Sequence, residues 1–528
     1  MLRAAAAGAL SGVLLIACFP RIEAGALAWI ALVPLLYVIA GSSPRGSLLA
    51  AISFALVFHS GNLYWVSEVM VRYGGLAWPI ALLILMFLVA YLAAFDCLFA
   101  ILTSATCARR GAAGVFAAPV FWVGLELLRQ FPWGGFPWCL LGYSQVSYLP
   151  ALQIASITGV YGVSLLIVVV NAAIAYALAE RGPGKARRVL LASAPAVLLM
   201  ALPLGFGYAE LARPLPPADF RVAAVQGSVL QEHKWDPGFA AEIFSRHLAL
   251  SEKAADTGSR LIVWPESSTP FHFDGTPQLA DAMRQFARKR SVYLLFGSDD
   301  YQFLDGESAA AGAPGNYQAY NGAKLIDPRG EVSFRYHKIV LVPFGEYVPL
   351  KRLLFFVNNL TQEVGGFTPG SQIVVGHLDQ GRTLGVFICY EAIYADLVRR
   401  FSREGAGLLV QLTNDAWFGR SSAPYQHFAM ATVRAIESRR YLLRAANTGI
   451  TAIVDPYGRV LATTELFRTQ VLEGAVSFRN DLTFYARHGD LLARSAAMVT
   501  CLWGLTLATR NLLARLGRAG RKRSSSCP

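Results

Sequence analysis

The stretch "LGVFICYE", residues 384–391, joins an apolar run to a cysteine, a tyrosine and a glutamate. Residues 384–388 fit a buried β-strand, because apolar and β-branched side chains pack well inside sheets. The strand would end where Cys389 begins, and in α/β sheets functional groups collect outside the carboxyl ends of the strands. Cys389 is therefore either a small buried core residue or a nucleophile presented at a strand end.

Strand-like and helix-like patterns alternate on both sides of this stretch, which predicts an α/β sheet domain. A Pro-rich segment, "ARPLPPADF" at 212–220, precedes the pattern, so we expect the domain to span 213–488. Further strands are predicted at 220–229, 261–267, 292–300, 319–328, 408–414 and 448–456. Helices are predicted near 237–255, 277–290, 393–404 and 427–440.

The rest of the chain is too apolar for a soluble protein. Of the 528 residues, 55% are hydrophobic and only 15% are charged, which indicates membrane spans. We expect a membrane domain of seven helices over 1–212, an eighth transmembrane helix over 489–514 and a basic tail over 515–528. The apolar runs that predict these spans cover 4–20, 25–41, 46–66, 77–106, 112–130, 157–179, 188–209 and 491–513.

Charged residues in the short loops predict the orientation of these spans. Arg45, the pair Arg109 and Arg110, and the segment 181–188 lie in alternate loops, on the same side as the basic tail. By the positive-inside rule both termini are cytoplasmic, and the residues of about 212–488 lie outside, in the periplasm of a Gram-negative cell. The net charge of +13 is thereby assigned to membrane topology rather than to nucleic-acid binding.

Aromatic and ionisable residues of the membrane domain give two further expectations. The segment "QFPWGGFPWCLLGYS" (130–144) falls in an outer loop, and its aromatic residues match the aromatic belt of a membrane interface. Asp96 and Glu126 are ionisable residues inside predicted spans, but the sequence shows no paired pattern of charges.

The cysteines argue against disulfides and metal in the α/β domain. The chain has seven cysteines, and only Cys389 lies within 213–488, so no disulfide can form inside that region. No Cys-x-x-Cys pair or Cys/His cluster is present, and we expect neither a metal nor a cofactor.

Two other strand ends carry side chains that suit a nucleophilic cysteine. "LIVWPES" (261–267) carries Glu266, and "FRYHKIVLVPFGEYVP" (334–349) carries Lys338 and Glu346. A carboxylate whose pKa is raised by partial burial could take the thiol proton. An ammonium group could stabilise the oxyanion that forms when the thiolate attacks a carbonyl carbon. Each residue alone has an ordinary structural role, but together they favour a catalytic site.

These motifs resemble the nitrilase, or carbon–nitrogen hydrolase, superfamily. Together with "LTNDAWFG" (412–419) and the surrounding spans, they resemble its membrane branch, the apolipoprotein N-acyltransferases. The resemblance implies an extracytoplasmic αββα sandwich beside a multi-pass membrane domain. It also implies that Glu266 is the general base, Cys389 the nucleophile and Lys338 the oxyanion stabiliser.

The resemblance gives supporting roles to five further residues. Glu346 would hold and tune the lysine, while Tyr390 and Glu391 would shape the site beside the nucleophile. Tyr390 would also offer its backbone N–H to the oxyanion. Trp235 and Trp417 would line the entrance and the substrate path, although ordinary packing also explains a tryptophan at either position.

The implied reaction is ping-pong acyl transfer at a bacterial inner membrane. Cys389 would take an acyl chain from the sn-1 ester of a phospholipid and pass it to the α-amine of an S-diacylglyceryl cysteine at a lipoprotein N-terminus. The partners would be the phospholipid donor, the diacylated lipoprotein and the membrane, with the enzyme a monomer. Two alternatives stay open: a membrane-tethered amidase or nitrilase that acts on a soluble amide, and a transporter or receptor whose α/β domain only binds ligand.

Overall fold

The first two hundred residues form an apolar bundle of helices. The computed structural model describes residues 1–131, 135–303, 317–343, 345–347 and 366–524. Pro132, Trp133 and Gly134 of the aromatic segment 130–144, and residues 525–528 of the basic tail, lie outside these ranges. The helices of the bundle are α1 (Leu2–Ala17), α2 (Ala28–Ala31), α3 (Val33–Gly41), α4 (Pro44–Leu63), α5 (Trp65–Arg72), α6 (Trp78–Arg110), α7 (Ala118–Leu128), α8 (Leu149–Leu152), α9 (Ala155–Thr158), α10 (Val160–Ala179) and α11 (Lys185–Leu211).

Within the described ranges, five helical segments are long and apolar enough to cross a membrane. The expected spans at 77–106 and 112–130 correspond to α6 and α7, which a short 3-10 turn joins into one run. The expected spans at 4–20 and 25–41 are shorter apolar helices, Leu2–Ala17 and Gly25–Gly41. The total of eight membrane spans therefore stays a prediction. The five segments are Pro44–Leu63, Trp78–Leu128, Val160–Ala179, Lys185–Leu211 and Leu491–Arg510.

The ionisable side chains inside the bundle have partners, which the sequence pattern did not reveal. Asp96 of α6 lies 2.8 Å from His59 Nε2 of α4, a contact that the sequence did not predict. Glu126 of α7 accepts a hydrogen bond of 2.7 Å from the backbone N–H of Leu141. Such pairing is needed because an unpartnered polar group is costly in an apolar medium.

The α/β region contains two six-stranded sheets. One has the order β12-β1-β2-β3-β4-β5 and the other β11-β10-β9-β8-β7-β6. The central strands are parallel in both sheets, as in β1 with β2 and β7 with β8. The strands are β1 (Phe220–Gln226), β2 (Leu261–Val263), β3 (Tyr293–Phe303), β4 (Tyr317–Ile326), β5 (Val332–His337), β6 (Val375–His377), β7 (Thr383–Ile388), β8 (Leu408–Thr413), β9 (Leu442–Ala446), β10 (Ala452–Val454), β11 (Val460–Thr463) and β12 (Gln470–Val476).

Alternating side chains of the strands build a four-layer αββα sandwich. Val222 and Ala224 of β1 point between the two sheets and pack in one core with Val386 of β7. Ala223 and Val225 point the other way and pack in a second core beneath the first two helices of the region. The period of two along a strand produces this division. The helices are α12 (Pro237–Asp256), α13 (Pro277–Arg290), α14 (Ala395–Arg403), α15 (Ala423–Ser438) and α16 (Phe484–His488), and α17 (Leu491–Ser524) follows.

The helical bundle and the sandwich share one continuous apolar core. Tyr390, which follows Cys389, and Met430 of α15 are buried in the same cluster as the bundle residues. Trp138 belongs to this cluster and donates to Gln426 Oε1 at 2.8 Å. The expectation that aromatic residues of 130–144 sit at the membrane interface is therefore wrong for Trp138, because a partner domain covers it.

Candidate active site

Three turns at the carboxyl ends of strands bring the predicted catalytic side chains to one region. Lys338 directly follows β5, Cys389 directly follows β7, and Glu266 lies three residues beyond β2. The strands belong to both sheets, so the site lies across the sandwich rather than on one sheet. The fold, not local sequence, therefore brings the three residues together.

Lys338 is the centre of a buried cluster of charges. Its Nζ donates to Glu346 Oε1 at 2.9 Å and to Glu266 Oε1 at 3.2 Å. The side chain of Lys338 is only 1% exposed. Asn321 Nδ2 donates to the same two oxygens, at 2.7 Å to Glu266 and 2.8 Å to Glu346. The second oxygen of Glu266 accepts the backbone N–H of Asn414 at 2.8 Å.

The electrostatics of this cluster fix the charges of Glu266 and Lys338. Burial alone would raise the pKa of Glu266, but the charges of Lys338 and Lys234 outweigh burial and hold that pKa below its usual value. Burial alone would lower the pKa of Lys338, but Glu266 and Glu346 raise it well above its usual range. We expected the pKa of the base to be raised; the two buried lysines are the reason that it is lowered. Glu266 is thus a carboxylate and Lys338 an ammonium at neutral pH.

Cys389 occupies a strained turn. Its φ is +50°, a left-handed conformation that side chains with a Cβ rarely adopt. Burial and the negative charge of Glu266 raise the pKa of its thiol well above the usual range, whereas Lys338 and a hydrogen bond with Thr413 lower it. At rest the proton therefore stays on sulfur, beside an ionised carboxylate that can accept it.

Glu391 links the turn that carries Cys389 to the turn that carries Lys338. Its Oε1 accepts the backbone N–H of Ile339 at 2.6 Å and the Tyr336 hydroxyl at 2.8 Å. Its Oε2 accepts the N–H of Ile388 at 2.7 Å. Burial raises the pKa of Glu391 to about 7, although these hydrogen bonds oppose the rise.

The other predicted residues of the site lie around this cluster. The ring of Tyr390 contacts Tyr394, with centroids 5.5 Å apart, inside the core shared with the helical bundle. Trp417 packs edge to face on Tyr73 of the bundle, at 5.0 Å. Trp235 is 51% exposed and stands next to Lys234. Within the described ranges, no hydrogen bond joins either indole to the charged cluster.

Two residues of the site were missed by sequence reasoning. Asn321 lies on β4 in the stretch "YNGAKLI" (320–326), where a polar amide inside a predicted strand is the only signal in the sequence. Lys234 is buried, and its Nζ donates to the backbone oxygen of Glu266 at 3.1 Å. Burial lowers the pKa of Lys234, while Glu266 and Asp299 oppose that effect. "HKW" (233–235) drew attention to Trp235, whereas the buried charge is on the residue before it.

One group of side chains in the described ranges has a spacing compatible with a metal ion. His272, Asp274 and Asp300 have ligand atoms within 4.8 Å of one another. Lys324 Nζ already donates to both carboxylates, at 2.9 and 3.3 Å. Arg335 binds Asp274 through two nitrogens, at 2.8 and 2.9 Å. Lys324 and Arg335 already neutralise the carboxylates that a metal ion would bind. The group is therefore explained as a network of salt bridges.

Family models match both parts of the chain. A model described as the apolipoprotein N-acyltransferase N-terminal domain matches residues 11–173. A model described as carbon-nitrogen hydrolase matches residues 221–480, which include Glu266, Lys338 and Cys389. The two matches correspond to the helical bundle and the sandwich.

Three relatives that are named apolipoprotein N-acyltransferase align with most of the chain. The protein of Geobacter metallireducens is 41% identical, over 93% of this chain and 94% of its own length. The protein of Sinorhizobium medicae is 35% identical over 85% of this chain and 86% of its own. The protein of Nitrosomonas europaea is 32% identical over 90% of each chain. This chain therefore belongs to the apolipoprotein N-acyltransferase family.

Proposed function

We propose that the chain transfers an acyl chain from a phospholipid to the α-amine of S-diacylglyceryl-cysteine lipoproteins, through a thioester on Cys389. One observation carries the proposal most directly. The charged pair of Glu266 and Lys338 lies beside the turn of Cys389. The next residue, Tyr390, is packed in the apolar core that the sandwich shares with the helical bundle. A lipid ester can reach such a nucleophile without its chain crossing water, which would cost about 0.8 kcal/mol per CH₂ group.

The first half-reaction uses the charge states described above. The Cys389 sulfur attacks the ester carbonyl carbon while its proton passes to the Glu266 carboxylate. The Lys338 ammonium and the Tyr390 backbone N–H stabilise the negative oxygen of the tetrahedral intermediate. When the intermediate collapses, the C–O bond of the ester breaks and Glu266 returns the proton to the leaving alkoxide. A lysophospholipid departs and the acyl group stays on sulfur.

The second half-reaction repeats these roles with an amine as the nucleophile. The α-amine of the lipoprotein cysteine attacks the thioester carbon and gives a proton to Glu266. Collapse breaks the C–S bond, forms the amide and returns a proton to the sulfur of Cys389. Glu346 and Asn321 act through the lysine and the base, because they hold Lys338 Nζ and Glu266 Oε1 in place.

The proposal includes the arrangement of the chain in the membrane. It comprises a membrane domain over 1–212, a catalytic domain over 213–488, an eighth helix over 489–514 and a cytoplasmic tail over 515–528. Eight spans with both termini in the cytoplasm are supported by the five long apolar segments, one of which covers two predicted spans, by the two shorter apolar helices near the N-terminus and by the alternation of basic loops. The catalytic domain then lies on the periplasmic side of the inner membrane, where the enzyme acts as a monomer. Trp235 and Trp417 would line the substrate path.

The test is an N-acylation assay with the full chain. The protein is incubated with phospholipid vesicles and a synthetic diacylated lipopeptide, and the peptide is analysed by mass spectrometry. We expect an acyl group on its α-amine with the wild type and none with Cys389→Ala. Release of ammonia from a soluble amide, without any need for lipid, would instead identify an amidase and contradict the proposal.

A further inference from the structure

Two buried side chains hold the backbone carbonyl of Cys389. His427 Nε2 lies 2.9 Å from this oxygen, and Gln411 Nε2 donates to it at 3.2 Å. Both side chains are fully buried, His427 on α15 and Gln411 on β8. A carbonyl oxygen only accepts hydrogen bonds, so Nε2 of His427 carries a hydrogen and donates it.

The other nitrogen of the His427 ring faces Asp415. Nδ1 lies 3.0 Å from Asp415 Oδ1, and the second oxygen of Asp415 accepts Arg444 Nη2 at 2.6 Å. Burial alone would raise the pKa of Asp415, but Arg444 and His427 hold it at about 2, so the group is a carboxylate. Arg444 and Gln411 also approach the ring nitrogens, at a longer 3.3 Å. The indole of Trp138 stacks on the His427 ring, with the ring centroids 5.9 Å apart.

The carbonyl of Cys389 and the N–H of Tyr390 belong to the same planar peptide group. In a trans peptide the two point in opposite directions, so a residue that fixes the oxygen also fixes the N–H. Tyr390 lies in the first turn of a 3-10 helix, Cys389–Ile393, where the N–H groups have no partner within the helix. Among the described residues this N–H has no hydrogen-bond partner, so it can donate to a reacting group, and it points away from His427.

The strain at Cys389 makes such an anchor necessary. A left-handed φ costs a residue with a side chain on the order of 1 kcal/mol or more, and persists only where the surroundings impose it. Without the bonds to its carbonyl, the turn could relax to an ordinary φ. That relaxation would rotate the peptide and move the Tyr390 N–H away from the reacting carbonyl.

We propose that His427, held by Asp415, is a positioning residue that aims the Tyr390 N–H at the oxyanion by fixing the Cys389 carbonyl. The inference rests on the proposed acyl transfer and adds a residue to its machinery. His427 is buried and acts through the Cys389 carbonyl, so its loss should slow the chemical step and leave the binding of phospholipid unchanged.

Two amide variants separate this role from a structural one. His427→Gln places an amide N–H near the position of Nε2 and can keep the bond to the Cys389 carbonyl. His427→Asn places one near Nδ1 and can keep only the contact with Asp415. We expect His427→Gln to acylate Cys389 within about threefold of the wild-type rate. We expect His427→Asn to be slower by about 10²-fold with KM for phospholipid unchanged, the scale of a lost oxyanion donor.

The test compares the rates at which Cys389 is acylated in the two variants. If His427 only neutralises or packs on Asp415, His427→Asn should lose less acylation rate than His427→Gln. That result, or an equal loss of rate in the two variants, would overturn the proposal. Acylation of wild-type Cys389 by phospholipid vesicles is measured alongside. No wild-type adduct would overturn the acyl transfer and this inference together, whereas a wild-type adduct with a fully active His427→Asn overturns this inference alone.

A measurement on the wild-type chain keeps the proposal testable if the variants do not fold. The full chain is labelled with ¹³C-carbonyl cysteine and ¹⁵N-histidine and placed in phospholipid vesicles for solid-state NMR. We expect one histidine Nε2 that carries a hydrogen and is dipolar-coupled to a cysteine carbonyl. An Nε2 without hydrogen at that contact, or no such coupling, would overturn the proposal.

Discussion

Glu391 accepts a hydrogen bond of 2.6 Å from the backbone N–H of Ile339, the residue that follows Lys338. The same carboxylate accepts the N–H of Ile388, the residue that precedes Cys389. One buried side chain therefore links the turn of Cys389 on one sheet to the turn of Lys338 on the other. The separation between the sulfur and the ammonium depends on this link.

Glu391→Gln should break the link. An amide nitrogen in place of Oε2 would face the N–H of Ile388, so two donors would meet in a buried site. We expect the free energy of unfolding to fall by about 1–3 kcal/mol, the cost of an unsatisfied buried group. We also expect acylation of Cys389 to slow. Glu242→Gln, an exposed change on α12, is the control and should alter neither quantity; equal behaviour of the two variants would contradict the role of Glu391.

Lys338→Met removes the cation between Glu266 and Glu346. We expect acylation to slow by about 10²–10³-fold, because the oxyanion loses a charged donor. Lys324→Met is a matched control, since Lys324 is equally buried and also binds two carboxylates, Asp274 and Asp300. It should lower stability but leave the acylation rate per folded molecule within about threefold. Equal losses of rate in both variants would mean that Lys338 acts only on folding.

Asn321→Asp places a carboxyl group against Glu266 and Glu346, at contacts that are now 2.7 and 2.8 Å. Like charges at this distance raise the pKa of one group, so a proton should enter the cluster. We expect acylation at neutral pH to slow by about 10–10²-fold, with KM for phospholipid nearly unchanged. A wild-type rate would show that the cluster tolerates a third carboxylate and that Asn321 has no positioning role.

His247 should make stability depend on pH between about 4 and 6.5. Burial lowers the pKa of its imidazole to about 4 in the folded chain, while the unfolded chain has the ordinary value near 6.5. As pH falls through this window the unfolded state binds a proton that the folded state does not, so stability is lost. The full effect is about 2–4 kcal/mol. Denaturant unfolding of wild type and His247→Gln across this range should show a shallower slope for the variant; parallel profiles would contradict the assignment.

The sequence predicted the helices of the sandwich better than its strands. The helix expected at 277–290 coincides with α13, because a Pro at its start and an amphipathic pattern mark both ends. The strands β6, β9, β11 and β12 were not predicted, since three to seven residues give too little alternation to recognise. The strand expected at 448–456 begins only at Ala452, because residues 448–451 form the irregular connection that follows β9.

Residues of the site could be predicted where they belong to a recognisable motif. They could not be predicted where their role depends on contacts between distant parts of the chain. "VWPES" and "ICYE" identify Glu266 and Cys389. Nothing near Trp138 in the sequence shows that it stacks on His427, 289 positions away, because that contact joins the helical bundle to the sandwich. The lowered pKa of Glu266 depends likewise on Lys234, a charge that no pattern places in the interior.

We propose that Cys389 carries the acyl group between donor and acceptor. The most direct test incubates the full wild-type chain with phospholipid vesicles in the absence of lipoprotein, and then locates the modification by mass spectrometry of the digested protein. We expect one acyl chain in thioester linkage on the peptide that contains Cys389, and its disappearance when a diacylated lipopeptide is added. An acyl group on any other residue, or an adduct that the lipopeptide does not discharge, would contradict this account.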